Sequence, residues 1–163
     1  MTAATAQPRA CSVARTLDIV GEKWALLAVR EVFLGNRRFD EMVRRTGAPR
    51  DTLAARLRTL VGAGILERRQ YSEHPARYEY RLTAAGRDLY PVITTLMRWG
   101  DRYLAGDAGP PLVLQHHCGH PVVATVICEA CGEPLEARDT TPVTADGGQA
   151  AHPSGRAGVR GPG

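Results

Sequence analysis

Residues 50–63 have the sequence RDTLAARLRTLVGA, and the spacing of their leucines decides how the surrounding chain can fold. Leu53, Leu57 and Leu60 stand at i, i+4 and i+7, the period of an amphipathic helix. This narrow apolar stripe predicts the side that faces a core. The opposite side is small and polar, carries guanidinium groups and has no long acidic side chain, which is a chemistry that suits the major groove of DNA. The candidate DNA-contacting residues of this helix are Arg50, Asp51, Thr52, Ala55, Arg56 and Thr59.

A second, shorter helix is predicted just before this one. Phe39, Met42 and Val43 are spaced at i, i+3 and i+4 and form their own apolar stripe. The sequence TGAP at residues 46–49 separates the two stripes and predicts a tight turn that contains glycine. Two short helices joined in this way predict a helix-turn-helix.

The chain changes its period after this motif. Tyr78, Tyr80 and Leu82 alternate with charged residues, and residues 65–71 form a matching run, so a β-hairpin is predicted. Basic residues along its stem and at its tip are typical of a wing that contacts the phosphate backbone. An ordinary solvated charge is the alternative for each of them. The predicted backbone contacts are Arg68, Arg69, His74 and Arg77 in the hairpin, with Arg37 and Arg38 ahead of the first helix of the motif.

Several of these motifs resemble a known family. The stretches DIVGEKWALLAVREVFLG at 18–35, RRF at 37–39, LAARLRTL at 53–60 and YEYRLT at 78–83 resemble the HxlR-type winged helix-turn-helix regulators, which are relatives of the MarR family. The resemblance covers residues 11–104 and implies a DNA-binding transcriptional regulator, more often a repressor than an activator. Ala48 stands where the family usually has a serine before the proline, so the cap or phosphate contact of that serine is not carried over.

A long apolar helix is predicted over residues 84–104, with Thr83 as its N-cap. Its stripe, which includes Ile93 and Leu96, is longer than a small winged domain can cover, so a homodimer is expected. Pro91 should bend this helix unless the helix restarts there. A dimer would bring two recognition helices to successive major grooves of a pseudo-palindromic operator, about 34 Å apart.

Cys11 lies at the start of the first predicted helix, for which Ser12 is the expected N-cap. A thiol at the N-terminus of a helix is a candidate for a lowered pKa, because the helix dipole stabilises the thiolate. The resemblance matches Cys11 to the N-terminal cysteine with which several family members sense quinones, aldehydes or oxidants. A small buried side chain is the alternative.

A cluster of metal-binding residue types follows near the C-terminus. The sequence CEACG at 128–132 has the spacing of a zinc knuckle, and HHCGH precedes it at 116–120. One structural Zn²⁺ per chain is predicted, and a ribbon without metal and a redox dithiol at Cys128 and Cys131 are the alternatives. Gln115 stands where a two-cysteine knuckle would have its first cysteine. The predicted ligands are Cys118, Cys128, Cys131 and either His116 or His120.

Charge and composition divide the chain. Residues 1–104 contain 18 Lys and Arg against 11 Asp and Glu, a net charge of +7, whereas residues 105–163 carry −3. A phosphate-binding surface is therefore expected in the first part. Two short strands are expected at 112–115 and 122–127. The predicted division is a flexible arm at 1–10, the DNA-binding and dimerisation domain at 11–104, a linker at 105–111, a ribbon-like segment at 112–138 and a disordered tail at 139–163.

The expected fold class is mainly α with a small β-hairpin wing, an α+β winged helix-turn-helix, followed by a small zinc-ribbon-like appendage. No phosphate-binding glycine loop, HExxH motif or activated nucleophile is present, so no enzymatic activity is expected. The sequence contains no long apolar run or signal peptide, which favours a cytoplasmic protein without membrane contact. A DNA-binding regulator with an unknown effector is the main hypothesis. The alternatives are a thiol- or metal-responsive sensor that uses Cys11 or the C-terminal cysteines, and a protein-interaction module that uses the C-terminal segment.

Overall fold

The computed structural model describes residues 11–143 and is mainly helical. The chain divides into two units, one that ends at Ala124 and one that begins at Thr125. The predicted arm at 1–10 and the predicted tail beyond residue 143 lie outside the described residues. No helix within the described part is long and apolar enough to cross a membrane. The elements are α1 (Ser12–Val20), α2 (Lys23–Phe33), α3 (Phe39–Thr46), α4 (Arg50–Gly62), β1 (Leu66–Glu73), β2 (Ala76–Leu82), α5 (Ala84–Arg87) and α6 (Tyr90–Leu104), then short 3₁₀ turns at Gly106–Ala108 and Ala137–Asp139.

The core of the first unit forms around α2. Ala28 and Val29 of this helix are fully buried, and they belong to one cluster with Met42 of α3. The leucine stripe predicted for α4 is confirmed, since all three of its leucines are 0% exposed in the same cluster. The helix-turn-helix is therefore anchored through the apolar sides of both its helices, which leaves their polar sides outward.

A buried carboxylate fixes the chain where α2 leads into α3. Glu31 is 2% exposed, and its carboxylate accepts hydrogen bonds from Arg30 and from the side chain of Asn36, each at 2.6 Å. A buried carboxylate requires such partners, because an unpaired one would lose its hydration without compensation. The carbonyl of Arg37 accepts the N–H of Tyr80 in β2 at 2.8 Å. These bonds hold the loop before α3 against the hairpin.

β1 and β2 form the predicted antiparallel hairpin, in which Leu66 lies opposite Leu82. A bulge between Gln70 and Ser72 shifts the register once. Leu66 is the buried residue of β1, whereas most of its other residues are exposed. The hairpin is therefore attached to the core at its base, and its stem and tip project from the domain.

The helix predicted over 84–104 is in fact two helices. Thr83 caps the first of them as predicted, because its hydroxyl oxygen accepts the N–H of Gly86 at 3.1 Å. Proline has no N–H and fits only the first turn of a helix, and Pro91 occupies that place in α6. The chain therefore restarts a helix at Tyr90, which is the alternative to a bent helix that the sequence left open at Pro91.

The strands expected at 112–115 and 122–127 do not form in the described residues. An isolated bridge joins Gln115 to Pro121 in the first unit, and another joins Ile127 to Pro134 in the second. Each bridge includes a proline, which has no N–H to extend a ladder. A zinc-ribbon sheet is not seen in this part of the described chain.

Candidate nucleic-acid interface

The turn between α3 and α4 sets the angle of the helix-turn-helix. Gly47 ends α3 in the left-handed conformation, with a φ of 70°. The side-chain oxygen of Thr46 then accepts the N–H of Ala48 at 3.2 Å, and Ala48 is 3% exposed. The position that the family usually fills with serine is therefore a packing position here. Pro49 follows as the N-cap residue of α4, without a side-chain cap.

The outward side of α4 consists of the residues that the sequence assigned to DNA. Arg50, Asp51 and Thr59 are exposed, and Thr52, Ala55 and Arg56 are half-buried. Small side chains between longer ones leave this side of the helix without bulky projections. Such a surface allows close approach to the base edges in a major groove.

Arg50 is held in place while its guanidinium stays accessible. The group lies 2.7 Å from the Asp40 carboxylate and 4.9 Å from the ring centre of Phe39, both in the first turn of α3. The side chain is 61% exposed despite these contacts. An ion pair and a cation–π contact together orient the planar group and leave other N–H donors facing solvent. The sequence interpretation missed both partners, because it considered each helix separately.

Arg56 points toward the start of α2, whereas Arg50 points toward α3. Its guanidinium lies 3.5 Å from the Glu22 carboxylate, which belongs to the turn before α2, and the side chain is 33% exposed. Its Nε atom is buried and has no hydrogen-bond partner among the described residues. This arginine therefore connects α4 to the N-terminus of α2. Contact of Arg56 with DNA stays a prediction.

The basic residues of the wing are exposed, which backbone contact requires, and the contacts themselves stay a prediction. The Arg68 guanidinium lies 3.7 Å from the ring centre of Tyr78, and that of Arg38 lies 4.7 Å from the ring of Tyr71. Stacking on a ring orients a guanidinium without neutralising its charge. Arg69 is opposite Glu79 across the hairpin, and the Glu79 carboxylate pairs with Arg81 at 2.6 Å. The exposed basic residues of this region are Arg37, Arg38, Arg68, Arg69, His74 and Arg77.

A polar cleft of about 690 Å³ separates the start of α3 from the wing. Three guanidinium groups line it, those of Arg38, Arg44 and Arg77, together with two acidic residues and two tyrosine rings. The fold therefore brings together predicted contacts that are far apart in the sequence. Arg44 was missed, although its place beside Arg45 in α3 was visible in the sequence. A cleft lined by several guanidinium groups is suited to a DNA phosphate.

Cys11 is the N-cap residue of α1, in place of the predicted Ser12, which is the first helical residue. Its backbone is extended, and its carbonyl accepts the N–H of Arg15 at 3.1 Å. The residue is half-buried. The predicted position of this cysteine at a helix N-terminus is thus confirmed, and its redox role stays a prediction.

The cysteine-containing turn of the first unit is closed by polar side chains. His116 Nδ1 accepts the N–H of Cys118 at 3.4 Å, and the Gln115 amide donates to the Gly119 carbonyl at 3.1 Å. Gly119 has a φ of 89°, which the tight turn requires. The glutamine thus closes the turn with a hydrogen bond where a knuckle would have a metal-binding thiolate.

The turn of the second unit has a similar backbone. The N–H of Gly132 donates to the Cys128 carbonyl at 2.7 Å. Backbone N–H groups of Cys131 and Ala130, and the Cys131 side chain, lower the pKa of the Cys128 thiol by hydrogen bonding. Such donors stabilise a thiolate, which is the form that binds metals. Within residues 11–143 there is no group of three or more His, Cys, Asp or Glu side chains that could hold a metal ion. The zinc site stays a prediction.

Comparison with known proteins places this geometry among transcriptional regulators. The model of the HxlR-like helix-turn-helix family matches residues 19–108. The chain is 52% identical over 132 residues to Rv3095 of Mycobacterium tuberculosis, an uncharacterised HTH-type transcriptional regulator, covering 80% of this chain and 84% of that one. The crystal structure of PA1607, a candidate transcription factor, is similar with a TM-score of 0.74 and 37% identity over 85% of this chain and 96% of that chain. The redox regulator HypR in its oxidised form matches with a TM-score of 0.50 and 34% identity, over 56% of this chain and 96% of that one.

Proposed function

Because this chain belongs to the HxlR-like helix-turn-helix family, we propose that it is a cytoplasmic repressor that binds a pseudo-palindromic operator in double-stranded DNA as a homodimer. The family is one of transcriptional regulators, so an enzymatic activity is not proposed. The observation that carries the proposal is the accessible, oriented guanidinium of Arg50 at the start of α4, beside the cleft that Arg38 and Arg77 line.

The proposed contacts with DNA are of two kinds, those to bases and those to phosphates. Arg50 is fixed from two sides and can present paired donors to a base edge, which is the geometry of a specific guanine contact. Arg38, Arg68 and Arg77 lie around and along the wing and are proposed to contact phosphates. The first kind would select a sequence, and the second would supply affinity that depends on salt.

An exposed apolar face supports the proposed dimer. Leu96, Trp99 and Tyr103 recur along one side of α6 and are 53%, 54% and 59% exposed in the single chain. Val13 and Leu17 of α1 are similarly exposed. Burying large apolar side chains between two copies contributes about 25 cal/mol per Å² removed from water. A second copy of the chain would cover such a face, and the two α4 helices would then act together.

Selection of bound fragments from random double-stranded DNA tests the proposal. The expected product is a sequence with two inverted half-sites about one helical turn apart. Fluorescence anisotropy should then show tighter binding to this sequence than to a scrambled one of equal length. No enrichment after repeated rounds would count against operator binding.

Control by thiol oxidation is a second proposal, supported by the likeness to the redox regulator HypR and by the placement of Cys11 at the N-terminus of α1. Mild oxidant should change the affinity of the wild-type protein for its operator and leave that of Cys11→Ser unchanged. An equal response of both proteins would rule out Cys11 as the sensing thiol.

A further inference from the structure

A cavity of about 460 Å³ lies against α6 within the first unit. Thr94, Met97 and Asp101 line it from the helix and recur at i, i+3 and i+7, so they share one side. The exposed stripe that contains Leu96 and Trp99 occupies a different side of the helix. The cavity is therefore distinct from the apolar face proposed for the dimer.

The chain that follows α6 forms one wall of the cavity. Leu114 and Val122 form part of its wall, and the N–H of Val122 donates to the Leu114 carbonyl at 2.7 Å. The Arg98 guanidinium also donates to the Ala124 carbonyl, which ties the end of this segment to the helix. The wall is thus held by hydrogen bonds. The volume of the cavity, about 460 Å³, lies in the range of about 300 to 1,000 Å³ that is typical of small-molecule sites.

The lining combines apolar and charged groups. Met97, Leu114 and Val122 provide apolar surface, and Arg98, Asp101 and Arg102 place two guanidinium groups and one carboxylate on the helix side. Arg98 is already engaged by the Ala124 carbonyl. Arg102 is exposed, its guanidinium lies 5.2 Å from the Tyr103 ring, and it has no ion pair with a described residue. Two cations against one anion favour a negatively charged ligand.

We propose that this cavity binds a small, mainly apolar organic anion, of the class of aromatic carboxylates and sulfonates. The apolar wall would cover the hydrocarbon part, and Arg102 would pair with the anionic group at the rim. A ligand here contacts the reverse side of α6, the helix that carries the proposed dimer face. Its role as an effector that changes DNA affinity rests on the proposed function.

Two fluorescent probes with the same aromatic skeleton test the site in the full-length protein. One is 8-anilinonaphthalene-1-sulfonate, an anion, and the other is N-phenyl-1-naphthylamine, which lacks the sulfonate. The anion should bind saturably with one site per chain. Arg102→Gln should weaken its binding roughly tenfold, the loss expected for one charge-assisted hydrogen bond, and should leave binding of the neutral probe unchanged. Arg87→Gln, on the exposed side of α5, is the matched control and should change neither titration.

A second pair of variants tests the location. Val122→Trp should fill the cavity and abolish saturable binding of the anion, whereas Val126→Trp, at an exposed valine of the second unit, should not. Unchanged binding in Val122→Trp would overturn the proposal, as would equal loss of both probes in Arg102→Gln. Conversion of dimers into monomers by Val122→Trp, with the probe still bound, would assign the cavity to a second copy of the chain and also overturn it.

The same samples separate this inference from the proposed function. Operator affinity is measured with and without a saturating concentration of the anionic probe, and a change that Val122→Trp abolishes is expected. Wild-type protein that binds the probe but no DNA would contradict the proposed function and leave the site standing. Wild-type protein that binds its operator but shows no saturable probe binding would contradict the site alone.

Discussion

Two side chains from α3 contact the guanidinium of Arg50 and orient this group in the structure without DNA. A group that is already oriented loses less rotamer entropy on binding than a free one. Asp40 also partly neutralises the charge of Arg50, so a base edge would have to compete with that carboxylate. Arg50 should therefore contribute to selectivity more than to general attraction for DNA.

Arg50→Ala is expected to weaken binding to the selected operator by about 1 to 3 kcal/mol and to change binding to a scrambled sequence little. Arg87→Ala serves as the control for loss of one exposed arginine away from α4. Anisotropy titrations at several salt concentrations measure both effects. An equal loss on both sequences, with a smaller salt dependence, would make Arg50 a phosphate contact.

For single residues, the sequence predicted which side of a helix is buried better than it predicted which side chains pair with each other. The leucine period identified the buried and outward sides of α4, since a helix repeats regularly and burial follows that repeat. The pairings of Arg50 with Asp40 and of Arg56 with Glu22 cross between elements. Such contacts depend on the angle of the turn and on packing around α2, which no local period contains.

At the scale of elements, the base of the hairpin packs closely against α5 at Gly86. A Cβ added to Gly86 would lie 2.2 Å from the Ile65 carbonyl oxygen, which is closer than any real contact. Thr83 strengthens the same junction, because its hydroxyl donates to the Gly64 carbonyl at 2.6 Å. The base of the wing and the start of α5 therefore form one packed corner.

Gly86→Ala is expected to destabilise the fold by about 1 to 3 kcal/mol, because backbone must move to admit the methyl group. Gly62→Ala is the matched control, since Gly62 is helical and a methyl there meets open space. It should stabilise by about 0.4 to 1 kcal/mol through reduced freedom of the unfolded chain. Chemical denaturation measures both. A neutral Gly86→Ala would show that the corner is looser than described.

Zinc binding by the cysteines of the C-terminal turns can be tested separately. If the cysteines bind zinc as the sequence predicts, purified protein should contain about one zinc per chain, and Cys128→Ser should lose it. Cys11→Ser should keep the full amount, because Cys11 is at the other end of the described chain. Metal analysis by mass spectrometry decides the matter. Wild-type protein without zinc would favour the turn closed by Gln115.

Element boundaries also show what local rules can supply. Thr83 as an N-cap and Gly47 as a helix end follow from short-range chemistry and were predictable. Local rules allowed either a bent helix or a new helix at Pro91. The choice between these two outcomes depended on packing. Two short strands were expected after α6, whereas the isolated bridges found there each include a proline, Pro121 or Pro134, which has no N–H with which to extend a pairing.

At the scale of the whole molecule, the exposed stripe of α6 governs the proposed assembly. Leu96→Glu should yield monomers, since a carboxylate would have to be buried between the two copies. Leu34→Glu is the control, because Leu34 is also an exposed leucine and lies at the end of α2. Light scattering at micromolar concentration measures both. Dimers in Leu96→Glu would place the interface elsewhere.

In the proposed complex, two copies of the chain place their α4 helices in successive major grooves of one operator. Hydroxyl-radical footprinting on the selected operator tests this arrangement. Protected patches are expected on one face of the duplex, arranged symmetrically and separated by about one helical turn, with weaker protection outside them from the wings. Leu96→Glu should lose this symmetric pattern. Continuous protection of the whole fragment, or a single patch unaffected by Leu96→Glu, would contradict binding by two symmetric α4 helices.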